Sequence, residues 1–83
     1  MTRILYTRRA TKGLRRAPKD VAERIRDALQ RLAEGRDPRP DVRKLEGREG
    51  YRLRVGGWRA IFRIRRDGTL EVLDVGPRGG VYR

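Results

Sequence analysis

The stretch Tyr51–Ile64, YRLRVGGWRAIFRI, alternates apolar and basic residues on both sides of a Gly-Gly pair. A period of two marks a strand with one buried face, and Gly-Gly supplies the positive φ angles of a two-residue hairpin turn. If Gly56 and Gly57 form that turn, Val55 pairs with Trp58, Arg54 with Arg59, Leu53 with Ala60 and Tyr51 with Phe62. Tyr51, Leu53, Val55, Trp58, Ala60, Phe62 and Ile64 then share the face beneath the rest of the chain. Arg52, Arg54, Arg59, Ile61, Arg63 and Arg65 share the other. Like charges directly opposite each other on paired strands are destabilising, so folding alone gives a poor reason to set Arg54 beside Arg59. A solvated strand face normally mixes signs. Five arginines and no acid on two adjacent strands point to a polyanionic partner.

The whole chain leans the same way. It carries 23 Lys+Arg against 11 Asp+Glu, a formal net charge of +12, and all its basic residues but Lys12, Lys19 and Lys44 are arginine. Neutralised phosphates release condensed counterions, and arginine's planar fork grips phosphate bidentately. Nucleic acid therefore fits better than an anionic membrane surface. The sequence has no cysteine and no histidine, which removes disulfides, most zinc sites, Cys-His nucleophiles and histidine acid/base pairs. No signal peptide or membrane span is legible, so a cytoplasmic protein is expected.

Eighty-three residues make a single domain, 1–83, with a small core. Residues 3–7 have strand character. Ala10, Leu14 and Ala17 predict a first helix over 8–17, which Gly13 weakens from inside, and Pro18 breaks the pattern. Residues 19–34 predict a second helix, with Val21, Ala22, Ile25, Ala28, Leu29, Leu32 and Ala33 in one stripe and Gly35 as its stop. Residues 35–50, rich in Gly, Pro and charge, read as an ordered loop pinned by Val42 and Leu45. Strands are expected at 51–55, 58–65 and 70–76. The fold class is α+β: an antiparallel sheet with both helices on one face, in the order β-α-α-β-β-β.

Closing the second hairpin on Asp67-Gly68 would set Arg65 opposite Leu70, Phe62 opposite Leu73 and Ala60 opposite Val75. Leu73 and Val75 would then join the core, and Leu70, Val72 and Asp74 would lie on the arginine face. Ile61, Leu70 and Val72 would form an apolar trio there, a candidate protein-binding patch.

The stretch from Lys44 onward, with KLEG, YRLRVGGWRAIFRI and the ending VGPRGGVYR, resembles the RelE/ParE superfamily of toxins from bacterial toxin–antitoxin pairs. The ending is similar to the VG-x-R-x-x-VYR of the RelE branch. The resemblance implies a RelE-like fold and a ribosome-dependent mRNA endonuclease silenced by a cognate antitoxin. No cofactor is expected, and the carboxylates, scattered along the helix and loops, form no recognisable metal cage, so the activity is expected to be metal-independent. The resemblance also implies site residues: Arg52 and Arg54 on the second strand expected for the family, Arg59 opening the third, Arg78 after the last, and Tyr82 near the terminus. Lys44, Arg63 and Arg65 are further candidate RNA contacts. The antitoxin is expected to be small, acidic and partly helical, with Ile61, Leu70 and Val72 as a candidate footprint. The best-known member has lysines where this chain has Arg52 and Arg54, and the chain ends at Arg83 without the further residues of some relatives.

Cleavage of RNA by its own 2′-hydroxyl needs proton removal, in-line geometry and charge stabilisation at phosphorus and the leaving oxygen. Arginines serve the last two. They stay protonated, and unperturbed tyrosine has a pKa of about 10, so the group that moves the proton is left open. Two other readings stand beside this one: a ParE-like inhibitor of DNA gyrase on the same fold, and a basic RNA-binding module without catalysis.

Overall fold

In the computed structural model, which describes residues 3–36 and 40–77, two helices lie across one face of a five-stranded sheet. The elements are β1 (Ile4–Tyr6), α1 (Arg8–Arg16), α2 (Lys19–Glu34), β2 (Asp41–Lys44), β3 (Tyr51–Val55), β4 (Trp58–Ile64) and β5 (Leu70–Pro77). Across the sheet the strands run β1-β5-β4-β3-β2. Only β1, set beside β5, pairs in parallel. The expected β-α-α-β-β-β order is present with one strand added. That strand, β2, lies inside the segment whose composition predicts a loop. Its sequence, DVRK, has one apolar residue, and it pairs on one side only, so its periodicity is a single short alternation.

Both helices are terminated by local chemistry. The Thr7 hydroxyl oxygen accepts the Ala10 N–H at 3.1 Å and caps α1, while the same hydroxyl donates to the Leu73 carbonyl at 2.9 Å. One side chain thus starts the helix and ties it to β5. At the end of α2, Gly35 takes the left-handed conformation, φ 66°, and the Arg36 N–H returns to the Arg31 carbonyl at 3.0 Å.

Gly13, a poor residue for a helix interior, has a packing reason. A Cβ at that position would stand 2.0 Å from the Val75 carbonyl oxygen. The helix therefore rests directly on the backbone of β5, which only glycine permits. Beneath the helices, Ala10, Leu14, Ala22, Ile25, Ala28 and Leu29 meet Leu53, Ala60, Phe62, Leu70, Val72 and Val75 in one cluster. Tyr51 and Phe62 stack across β3 and β4, with ring centroids 5.4 Å apart.

The first hairpin pairs as the sequence predicts, from Val55 opposite Trp58 to Tyr51 opposite Phe62. The second does not. Its loop is Arg66-Asp67-Gly68: the Gly68 N–H reaches the Arg65 carbonyl at 2.9 Å, the Arg65 N–H reaches Thr69 at 2.8 Å, and Gly68 has φ 88°. Three loop residues in place of two shift the register by one, so Ile64 faces Leu70 and Phe62 faces Val72. A bulge at Leu73 then absorbs the extra residue and restores Ala60 opposite Val75.

That slip moves side chains from face to face. Leu70 and Val72, expected on the arginine face, are 3% and 0% exposed beneath the helices. Leu73, expected in the core, packs instead with Leu45 and Ile61 on the outer side. Ile61 keeps its expected face but is 1% exposed, covered where Leu45 folds over it. The apolar trio Ile61, Leu70 and Val72 is therefore not an exposed footprint for an antitoxin. Ile64, expected in the core, is 52% exposed.

Candidate nucleic-acid interface

Strand pairing sets the outer face out as rows. One row runs Asp41, Arg54, Arg59, Gly76; the next runs Arg43, Arg52, Ile61, Asp74, the last with its carboxylate held by Arg9 of α1; a third pairs Arg63 with Glu71. Arg54 and Arg59 are direct neighbours, as the Gly-Gly turn requires. On the far side of Arg59, β5 contributes only Gly76, so no side chain from that strand enters the row. Arg52 and Arg59 are half-buried and Arg54 is exposed. The Arg52 Nε is buried with no hydrogen-bond partner among the described residues. An unmet charged donor beneath an open surface favours an anionic acceptor arriving from outside.

The arginines are not equivalent. Arg63 Nε lies 2.6 Å from one oxygen of Glu71, and Arg65 Nη2 lies 2.8 Å from the other. Hydrogen bonds from Arg65 and then Arg63 hold the Glu71 carboxyl below its ordinary range, and the same contacts raise Arg65 further. The expected alternation of β5 kept Glu71 off this face; the shifted register brings it there. At the opposite edge, Arg54 Nε meets Asp41 Oδ2 at 3.2 Å, with both side chains more than 40% exposed to solvent.

The candidate residues thus divide. Arg52, Arg54 and Arg59 come together, and β2 adds Arg43 opposite Arg52. Arg63 and Arg65 stand apart from them, joined to Glu71. Lys44 pairs with Tyr51 and so alternates to the helix side, although it also lines a small cleft with Arg43, Leu45, Glu46 and Arg52. Arg78 and Tyr82 lie outside the described residues. Arg43 was missed by sequence reasoning because its strand was; the alternation Asp41-Val42-Arg43 was the signal available.

Among the described residues, no three potential metal ligands converge, and no helix is long and apolar enough to cross a membrane. The surface offers positive charge, fork-shaped donors and an aromatic stack behind them. It can hold phosphates and stabilise charge that develops on one.

Comparison with known proteins agrees with this architecture. The E. coli RelE toxin, crystallised alone, matches with a TM-score of 0.76 at 23% identity, over 93% of this chain and 84% of that one. The RelB-RelE antitoxin-toxin complex of Methanococcus jannaschii matches at 0.75 and 23%, over 89% of each chain. YafQ from E. coli strain BL21(DE3) matches at 0.74 and 16%, over 94% of each. No curated protein matches in sequence. At these identities the structures establish a shared fold. The family model described as the ParE toxin of the type II toxin–antitoxin system, parDE, matches residues 4–82, nearly the whole chain. Fold, charge pattern and family match converge: this chain belongs to the ParE toxin family of type II toxin–antitoxin systems, within the RelE/ParE superfamily.

Proposed function

We propose that the chain is a ribosome-dependent mRNA endonuclease, acting in the cytoplasm and silenced by a cognate acidic, partly helical antitoxin. The observation that carries this reading is the row Arg54–Arg59 with Arg52 and Arg43 beside it, an arginine group on an open sheet face. It fits the activity that resemblance to the RelE branch implies. Neighbouring folds described as antitoxin-toxin complexes support the antitoxin partner.

In the reaction the 2′-oxygen attacks phosphorus, the bond from phosphorus to the 5′ oxygen breaks, and a cyclic phosphate and a 5′-hydroxyl result. Arg59, with Arg78, clamps the scissile phosphate and stabilises the charge that grows on its oxygens. Arg52 and Arg54 hold neighbouring phosphates or orient the 2′-hydroxyl, and Tyr82 stacks on a base. Lys44, Arg63 and Arg65 serve as outer contacts to the backbone. For Arg63 and Arg65, a phosphate must compete with Glu71, so their contribution is smaller.

The test is transcript cleavage on translating ribosomes. Arg59→Ala and Arg78→Ala each lower it by roughly 10²–10³-fold, as expected for donors that act on the transition state, while Arg63→Ala lowers it by less than about tenfold. Undiminished cleavage by both of the first two variants would sink the assignment. The family match to ParE toxins favours a second reading, inhibition of DNA gyrase without nuclease activity. Gyrase-dependent DNA damage in place of cut sites in codon register would decide for it.

A further inference from the structure

The two helices differ sharply in charge. α1 carries Arg8, Arg9, Lys12, Arg15 and Arg16 and no acid, whereas α2 mixes Asp20, Glu23, Asp27 and Glu34 among its cations. Helical spacing puts Arg9, Lys12 and Arg16 along one side of α1. There they line a groove of about 290 Å³ with Trp58, Gly76 and Pro77. Sites that hold small organic ligands begin near 300 Å³. Trp58 is half-buried and packs against the main core, so the groove opens on the helix side of the sheet, away from the arginine face.

Asp74 is the one carboxylate among the described residues lining the groove. Arg9 holds it at 3.1 Å, its side chain is 15% exposed, and its Oδ1 accepts the Val75 N–H at 2.9 Å. Its charge is thus answered before any ligand arrives, and Lys12 and Arg16 remain as net positive charge beside an indole. A helix dipole favours cations in the last turn and accounts for Arg15 and Arg16. It does not account for Lys12 in the middle of the helix, nor for an aromatic ring set beside the row.

We infer that this groove is a second RNA site: Lys12 and Arg16 take the phosphates of a single strand, and a base packs against Trp58. Cationic tracks interleaved with aromatic rings bind single strands in this way, each stacked base contributing about 1–3 kcal/mol. The chain would then hold RNA on both sides of its sheet. The inference rests on the nuclease reading for its meaning, since it supplies a physical reason for needing the ribosome. A free single strand occupies one face at a time, whereas a site walled by RNA engages both faces together and fixes the protein against its substrate.

Trp58 is the chain's single tryptophan, so indole emission comes from this residue, and the paired variants separate the groove from the neighbouring arginine face. The probe is a 2′-O-methylated hexaribonucleotide, which lacks the attacking hydroxyl and cannot be cut. Wild-type protein shows saturable quenching with strong salt dependence. Lys12→Gln with Arg16→Gln weakens the affinity read by quenching at least about tenfold and lowers the salt slope by about 1.4, two contacts at roughly 0.7 each. Arg24→Gln with Arg26→Gln removes the same charge from α2, away from the groove lining, and changes that affinity by less than about threefold. Lys12→Arg keeps it. All four positions are exposed, and thermal melting verifies the fold.

Absence of quenching, or equal weakening by the two double variants, overturns the site. The nuclease reading fails separately. Wild-type protein that cuts nothing on translating ribosomes would refute that reading while leaving the quenching result standing.

Discussion

On the helix side of the sheet, side chains from two helices and three strands close over one another, and Ile25, Leu29, Leu53 and Val72 are 0% exposed. On the outer side, apolar packing among the described residues reduces to Leu45, Ile61 and Leu73, with charge around it. One face is organised by volume, where each side chain is fixed by its neighbours. The other is organised by charge, where position is fixed by the strands and the energetic balance is left to acids nearby. Glu71 satisfies Arg63 and Arg65, and Asp41 meets Arg54 at a solvent-exposed edge. Arg52 keeps a buried Nε with no hydrogen-bond partner among the described residues.

The contrast between packing and charge can be broken by truncation. Leu53→Ala leaves a cavity among side chains of both helices and should cost about 3–4 kcal/mol in chemical denaturation. Ile61→Ala empties the smaller outer cluster, whose surroundings relax more easily, and should cost about 2 kcal/mol. Equal losses would mean that the outer cluster is a second core in its own right, and the contrast between faces would fall.

Gly13→Ala sharpens the same point from the helix side. Alanine gains roughly 1 kcal/mol of helix propensity over glycine, but its Cβ would overlap the Val75 carbonyl oxygen at 2.0 Å. Overpacking against backbone costs about 1–3 kcal/mol, so the variant should be less stable on balance. A rise in melting temperature would show that α1 lifts off β5 freely.

The smallest effect belongs to the charged face. Glu71 is held below its ordinary carboxylate range by Arg65 and Arg63. A depressed carboxyl contributes stability above the unfolded value of about 4.3, and that contribution is lost as pH falls through the lower folded value. Glu71→Gln should therefore lower stability slightly at neutral pH, where the wild-type contact contributes in full, and flatten the acid limb, so that the two profiles converge at low pH. An unchanged acid limb would mean that the Arg63–Glu71–Arg65 contact carries no net stabilisation in water.

Much of this was legible in the sequence. The strict alternation and the Gly-Gly turn fix the first hairpin, because a two-residue loop leaves one register and that register turns every apolar residue of β3 toward the core. The stripe of α2 and the stop at Gly35 follow from period and backbone conformation alone. The second hairpin was not legible in the same way. Arg66-Asp67-Gly68 and Asp67-Gly68 are both competent turns, and either choice leaves an alternating strand. The choice was made by packing: Leu70 and Val72 go under the helices in exchange for Leu73, which the bulge turns outward to meet Leu45 and Ile61.

The sequence by itself determined an α+β chain with one arginine-bearing sheet face, since periodicity and turn chemistry are local properties. Only the tertiary structure decided which arginines stand together. That depends on β2 pairing beside β3 and on a one-residue slip that carries Glu71 to Arg63 and Arg65. Both are contacts between distant segments, and a period of two, unable to count loop residues, says nothing about them.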